Sequence, residues 1–389
     1  MHFVDLPDDI FIDILSFLED GWYVERNRTL AALRLTCKRV LSLTTHLYFS
    51  SLRLKIESQN LDHLVTQAES IGHHVRQLVL DLWINTEENE WEDKAGVASR
   101  DVLLAALINQ LPNVRALTVH ALCTPAIEFP QFVQSMRTLK NVQHLQIIEI
   151  AMRPSGLLDE QIRCPLSDGV VREVVKSSGR QLRSIVFDGQ SSIQLETFKA
   201  IRDLSTSLQT LLFGQCLGLD CQPALFEAVS WACRDTLEHL GFYDCRGAHS
   251  GAIASGVGSG LWSTKLRTLE VCKSGDHSDA RVLPYPIVEG PETRKLSRAC
   301  FEHAFDWELL LLGRLRAQEV TLTLVPRHEI LRTLQNGSFR GMTKLIVGKP
   351  PGDNQSGDTG IIAACSERRV DLSTDGIPIM GCTCPYGTN

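Results

Sequence analysis

A six-residue theme, apolar-x-x-apolar-x-apolar, recurs along most of this chain and constrains its fold more than any other feature. It is clearest at Val75–Leu80, Val114–Val119, Val142–Ile147, Leu182–Phe187, Leu208–Phe213, Leu237–Phe242 and Leu266–Val271. Weaker copies stand at Ala317–Leu322, Met342–Val347 and Glu367–Leu372. The last two apolar positions lie two residues apart, so they share one face of a short strand. From Leu78 to Leu117 the spacing is 39, then 28, 40, 26, 29 and 29 as far as Leu269. Val320 follows 51 residues on, and Leu345 and Val370 at 25 each. Intervals of 25–29 recur, and the longer ones hold insertions at Ile84–Ser99, Ala151–Asp168 and Gly275–Lys295. Helix-like runs lie between the strands at Val102–Leu111, Phe132–Leu139, Val170–Lys176, Leu195–Leu204, Ala224–Ala232, Phe301–Leu315 and Ile330–Leu334. Strand–helix units of this period bury their apolar edges by stacking on one another. The expected fold class is therefore an α/β repeat. A doubly wound α/β domain is the alternative, and it calls for longer, more continuously apolar strands.

The N-terminus departs from this pattern. In Leu6-Pro7-Asp8-Asp9-Ile10, Pro7 suits the first helical position, and Asp8 and Asp9 suit the positive end of a helix dipole. Ile10, Ile14 and Phe17 or Leu18 recur on one helical row, with Phe11, Leu15 and Leu18 on an overlapping one. So broad an apolar face exceeds what a small helical domain can bury and leaves surface for a partner. Thr29 is the expected N-cap of a second helix carrying Leu30, Leu33, Cys37 and Val40, and Leu43 and Leu47 extend the pattern into a short third one.

The ordered set Leu6-Pro7-x-x-Ile10-x-x-x-Ile14-Leu15-x-x-Leu18, followed by Leu33-Arg34-Leu35-Thr36-Cys37-Lys38-Arg39, resembles an F-box. That family docks on the Skp-type adaptor of cullin–RING ubiquitin ligases. The resemblance implies that Leu6, Pro7, Ile10, Ile14, Leu15, Leu18, Leu33 and Cys37 line the adaptor contact or the core behind it. Two departures stand out. Val40 occupies a place where the family often has Trp, and the expected loop from Glu19 to Arg28 is long. The repeated theme resembles a leucine-rich repeat, with Cys216 and Cys245 where that family has an inward Cys or Asn. Together the two resemblances imply a three-helix F-box over residues 1–50, a leucine-rich-repeat-like solenoid over 51–375 with a parallel sheet on its concave face, and a flexible tail over 376–389. They imply a non-catalytic substrate-recognition subunit of a Skp–cullin–F-box ligase, holding a protein target on the solenoid. A non-degradative F-box scaffold is the alternative.

In such a solenoid the residues between the inward positions face the hollow. Asp81, Thr118, His120, Gln146, Asp188, His239, Tyr243, Asp244 and Glu270 are the candidates for target binding, with Lys273 at one end. The acids outnumber the cation, which points to a ligand bearing Arg or Lys.

Composition narrows the alternatives. A net charge of −7 argues against a nucleic-acid partner. No apolar run approaches about eighteen residues, so no membrane span is expected. The acidic start lacks the basic region of a secretory signal. Twelve cysteines in a long chain without such a signal read as reduced thiols of the cytosol or nucleus. No catalytic site, metal or cofactor is expected. Gly247–Gly260 lacks the Lys-Ser/Thr of a phosphate loop, and His328-Glu329 is followed by Arg332 where a zinc motif needs a second His. Cys382-x-Cys384 has no second pair near it, and no Gly-x-Ser-x-Gly elbow occurs. An α/β enzyme would need one of these.

Overall fold

Alternation of buried and outward side chains decides where each strand lies. The computed structural model describes residues 10, 23–55, 61–82, 94–122, 129–150, 165–189, 195–214, 236–243, 265–272, 295–302, 316–323, 325–337, 339, 341–348 and 358–373. The fold is α/β, with twelve strands and nine α-helices longer than one turn among those residues. Contacts divide the chain into two units, Met1–Leu145 with Cys164–Ser178, and Gln146–Arg163 with Gly179–Asn389.

The first unit contains α1 (Tyr23–Arg34), α2 (Lys38–Tyr48), β1 (Ser51–Lys55), α3 (Leu61–Ile71), β2 (Gln77–Leu82), α4 (Lys94–Asn109), β3 (Ala116–Leu122) and α5 (Pro130–Ser135). It also contains the first two residues of β4 (His144–Ile150) and the whole of α6 (Pro165–Ser178). β1, β2 and β3 pair in parallel, with Leu52 opposite Leu78 and Leu78 opposite Leu117. Each parallel step begins in the same way. The Ser50 carbonyl accepts N–H bonds from Arg76 and Gln77, and the Arg76 carbonyl accepts from Arg115 and Ala116. Leu54, Leu80 and Val119 point inward and are buried.

The helical pair α1–α2 has a small core of Leu30 and Val40, with Leu33, Cys37, Leu47 and Tyr48 packed against it. Thr29 lies inside α1 rather than at its N-cap, because the helix starts at Tyr23. Tyr23–Arg28 is therefore helical, which shortens the expected Glu19–Arg28 loop. The break comes at Leu35–Thr36, where the Thr36 hydroxyl donates to the Leu33 carbonyl at 2.7 Å. Cys37 then caps α2 from an extended conformation, its sulfur accepting the Val40 N–H at 3.5 Å.

α5 is only six residues long and is held from outside. Pro130 starts it, and the buried Asp101 carboxylate on α4 accepts the N–H groups of Gln131 and Phe132 at 3.0 and 2.7 Å. Asp101→Ala leaves both donors without this acceptor and should lower stability by about 1–2 kcal/mol. A urea unfolding midpoint measures it, and an unchanged midpoint contradicts the capping role.

On α6, Glu173 accepts hydrogen bonds from Arg137 Nε and, at 2.8 Å, from Lys176 Nζ. Burial pushes the Glu173 carboxyl up, and these two cations outweigh it, so its pKa lies below the ordinary 4.5. A carboxyl depressed on folding contributes stability that is present above its unfolded value and lost as pH falls through the folded one. The wild type should therefore exceed Glu173→Gln in melting temperature at neutral pH, with the gap closing on acidification below about pH 4. A gap constant from pH 7 to pH 3 contradicts this.

The second unit contains the rest of β4, β5 (Ser184–Gly189), α7 (Leu195–Leu204), β6 (Thr210–Gly214), β7 (His239–Tyr243), β8 (Thr268–Cys272), β9 (Lys295–Glu302), β10 (Arg316–Thr323), α8 (Arg327–Gln335), β11 (Lys344–Val347), α9 (Asp358–Glu367) and β12 (Asp371–Ser373). From β5 to β12 each strand pairs in parallel with the next in chain order. Phe187, Phe213 and Phe242 form an inward column, with ring centroids 5.5 and 5.2 Å apart, and Phe198 of α7 packs against the first two.

All ten copies of the theme coincide wholly or partly with strands; eight of these start two residues after the first position of the theme, β10 starts one residue before it and β12 four after it. Two strands fall outside the expected set. β1 carries Phe49-x-x-Leu52-x-Leu54, and β9 carries Leu296-x-x-Ala299-x-Phe301. β9 divides the 51-residue interval, since Ala299 pairs with both Leu269 and Val320. The run Phe301–Leu315 therefore opens as strand, at Phe301 and Glu302, and its remainder lies outside the described residues. In β12 the residue opposite Leu345 is Leu372, not Val370, because α9 extends to Glu367. Lys94–Ser99 and Pro165–Asp168 are helical, so the first two insertions are shorter than expected. Lys295 belongs to β9, and the other residues of the third insertion lie outside the described set, as do Ala224–Ala232, Gly247–Gly260 and the tail.

Candidate functional site

Where the fourth and sixth positions of each theme point inward, the residues between them lie on the opposite face of the sheet. In each unit that face carries several polar side chains.

In the first unit the register sets Lys55, Asp81 and His120 side by side, with Arg53, Val79 and Thr118 in the next row. Asp81 is 5% exposed. Its Oδ2 accepts from Arg53 Nε at 2.7 Å and its Oδ1 from Arg53 Nη2 at 3.3 Å. His120 Nδ1 lies 2.8 Å from Oδ1. Burial lowers the His120 pKa, Asp81 raises it and Arg53 lowers it, with a net shift below 6.5. The imidazole is therefore neutral at pH 7, with Nδ1–H donating to Asp81. Asp81 is thus satisfied inside the sheet, and the cations Arg53 and Lys55 are the exposed charges.

In the second unit a charge network runs across β7 to β11. The Tyr243 hydroxyl donates to Glu270 Oε2. Arg298 reaches Glu270 at 3.9 Å and Glu319 at 3.4 Å, and Lys344 Nζ donates to Glu319 at 3.1 Å. The Tyr243 ring lies over Gly241, where an added Cβ would meet ring and hydroxyl at 2.8 Å and Leu212 at the same distance. Tyr243 is accordingly only 7% exposed. Upstream on this face, β5 and β6 present Val186 beside Leu212 and Ser184 beside Thr210. Burial pushes the half-buried Asp188 carboxyl above its ordinary value, and only the Gly189 N–H opposes that.

Of the expected target-binding residues, Asp81, Thr118 and His120 occupy the polar face of the first unit, and Asp188, His239, Tyr243 and Glu270 that of the second. Gln146 is half-buried on β4. Asp244 and Lys273 lie outside the described residues. Of the expected adaptor-binding residues, Leu33 and Cys37 are half-buried against the α1–α2 core, and Ile10 is 45% exposed. Leu6, Pro7, Ile14, Leu15 and Leu18 lie outside the described residues. Arg53, Arg298, Glu319 and Lys344 were not expected. The last three occupy the third position of their repeats, a column in which Thr210, His239 and Thr268 also stand.

Among the described residues no group of three or more His, Cys, Asp or Glu could hold a metal ion, and no helix is long and apolar enough to cross a membrane. Comparison with protein-family models and with curated proteins finds no match for this chain.

Proposed function

We propose that this chain is the substrate-recognition subunit of a Skp–cullin–F-box ubiquitin ligase. In this reading residues 1–50 form the F-box, residues 51–375 a leucine-rich-repeat-like solenoid, and residues 376–389 a flexible tail. The subunit performs no bond chemistry and needs no cofactor. It holds a protein target within reach of the conjugating enzyme that the cullin carries, and so raises the effective concentration of target lysines. It works in the cytosol or nucleus.

The observation that carries the reading is a set of three exposed apolar side chains in the N-terminal fifty residues. Leu35, within the stretch that resembles the F-box, is 89% exposed, and Leu41 and Ile10 are 40% and 45% exposed. Each such side chain contributes about 1.5–3 kcal/mol when a partner covers it, against an association cost of roughly 4–15 kcal/mol. A few anchors therefore decide the affinity. The regular parallel strands support the solenoid half of the reading, and their polar face supports a target surface.

The test is made in cells. With the proteasome inhibited, the intact chain should accumulate ubiquitinated partners, and the combined Leu6→Ala, Pro7→Ala, Ile14→Ala variant should not. Equal accumulation with both proteins contradicts the F-box assignment. Adaptor binding without any ubiquitinated partner points instead to a non-degradative scaffold.

A further inference from the structure

A half-buried acid without a counter-ion marks a place for a cation. On the polar face of the second unit, Glu270 and Glu319 are paired with Arg298 and Lys344. Asp188 differs. Among the described residues no cationic side chain pairs with it, and the Gly189 backbone N–H is the one hydrogen-bond donor to it.

Its surroundings are apolar. Val186 precedes it by two residues on the same face of β5, about 6–7 Å along the strand. Leu212 lies opposite Val186 on β6, and both are half-buried rather than covered. Gly241 continues that row on β7, where the Tyr243 ring covers it and closes that end of the row. A carboxylate beside two aliphatic side chains matches the shape of Arg or Lys, whose apolar stem covers such residues while its head seeks an acid.

We propose that Asp188, Val186 and Leu212 form a subsite for an Arg or Lys side chain on a segment of the target protein. The guanidinium or ammonium group pairs with the Asp188 carboxylate, and the stem lies on Val186 and Leu212. Binding relieves the burial of an unpaired charge, so it draws on a cost the free protein already carries. This identifies the chemistry of the target surface and rests on the receptor reading above.

The probe is a tetra-arginine peptide, with tetra-glutamate as its counterpart, titrated into the full chain at low ionic strength. Asp188→Asn keeps the side-chain shape and should weaken tetra-arginine binding about tenfold. Asp203→Asn, which removes an exposed acid paired with Arg202 on α7, should leave binding within about twofold. In the wild type the Asp188 carboxyl, followed by carbon NMR, should titrate at a lower pH once peptide is bound. Equal losses in both variants, no loss in either, or an Asp188 titration that peptide does not move would overturn the proposal. Should Asp188→Asn fail to fold, the wild-type titration decides alone. Adaptor binding measured on the same proteins separates the two readings. If the adaptor fails to bind while Asp188→Asn still loses the peptide, the ligase assignment falls and the subsite stands.

Discussion

Gly189→Ala should destabilise the second unit by roughly 4 kcal/mol or more, the largest effect expected of a methyl group added at any described glycine. Gly189 ends β5 at φ +90°, where a side chain strains the backbone. A Cβ there would also lie 1.8 Å from the Glu149 carbonyl oxygen and 2.8 Å from its carbon. Backbone cannot yield as a flexible side chain would, so β4 and β5 would have to move apart locally. Gly337→Ala supplies the control, because Gly337 has φ +74° but nothing within 4 Å of an added Cβ. It should cost about 1–2 kcal/mol, the conformational strain alone. Urea unfolding of the two variants separates strain from collision. Equal midpoints would show that the close approach of Gly189 to Glu149 is absent in solution.

Phe213→Ala should cost about 3–5 kcal/mol. Its ring stacks on Phe242 at 5.2 Å and 9° and on Phe187 at 5.5 Å and 25°, with Phe198 of α7 at 6.3 Å. Removing it takes contacts from three other rings and leaves a cavity that parallel strands on either side cannot close. Phe213→Leu should lose less than half as much, because most of the volume remains. Phe213→Ala combined with Phe242→Ala should cost less than the two single changes added, since they share a contact. Strict additivity in calorimetric unfolding would contradict a continuous aromatic column.

The repeat is legible in the sequence where its inward side chains are large. Leu211 and Phe213, or Leu240 and Phe242, cannot face water, and their two-residue spacing forces a strand. β9 escapes the pattern because Ala299 fills its fourth position and a proline-bearing stretch precedes it. β1 escapes because Phe49, Leu52 and Leu54 run on directly from the apolar rows of α2. Helix ends are less legible than strands. Thr29 looks like an N-cap by residue type, but α1 is already helical from Tyr23, and Cys37 caps α2 instead.

The polar face was legible as positions and not as partnerships. Asp81, His120, Asp188, Tyr243 and Glu270 follow from alternation alone. That Arg53 neutralises Asp81 depends on β1, and that Arg298 bridges Glu270 and Glu319 depends on β9, the two strands that the pattern hides. A count of acids therefore overstates the free negative charge on this face. Among the described residues of the second unit's polar face, Asp188 is the half-buried acid that pairing leaves without a cation.

We propose that the N-terminal helices dock on an adaptor. The most direct measurement is a calorimetric titration of the intact chain with purified Skp-type adaptor, repeated with Leu35→Asp and with the Leu6→Ala, Pro7→Ala, Ile14→Ala variant. A one-to-one complex with the wild type is expected, weakened at least about tenfold in both variants while their melting temperatures hold. No heat and no complex with the wild type, or equal affinity in all three proteins, would contradict it.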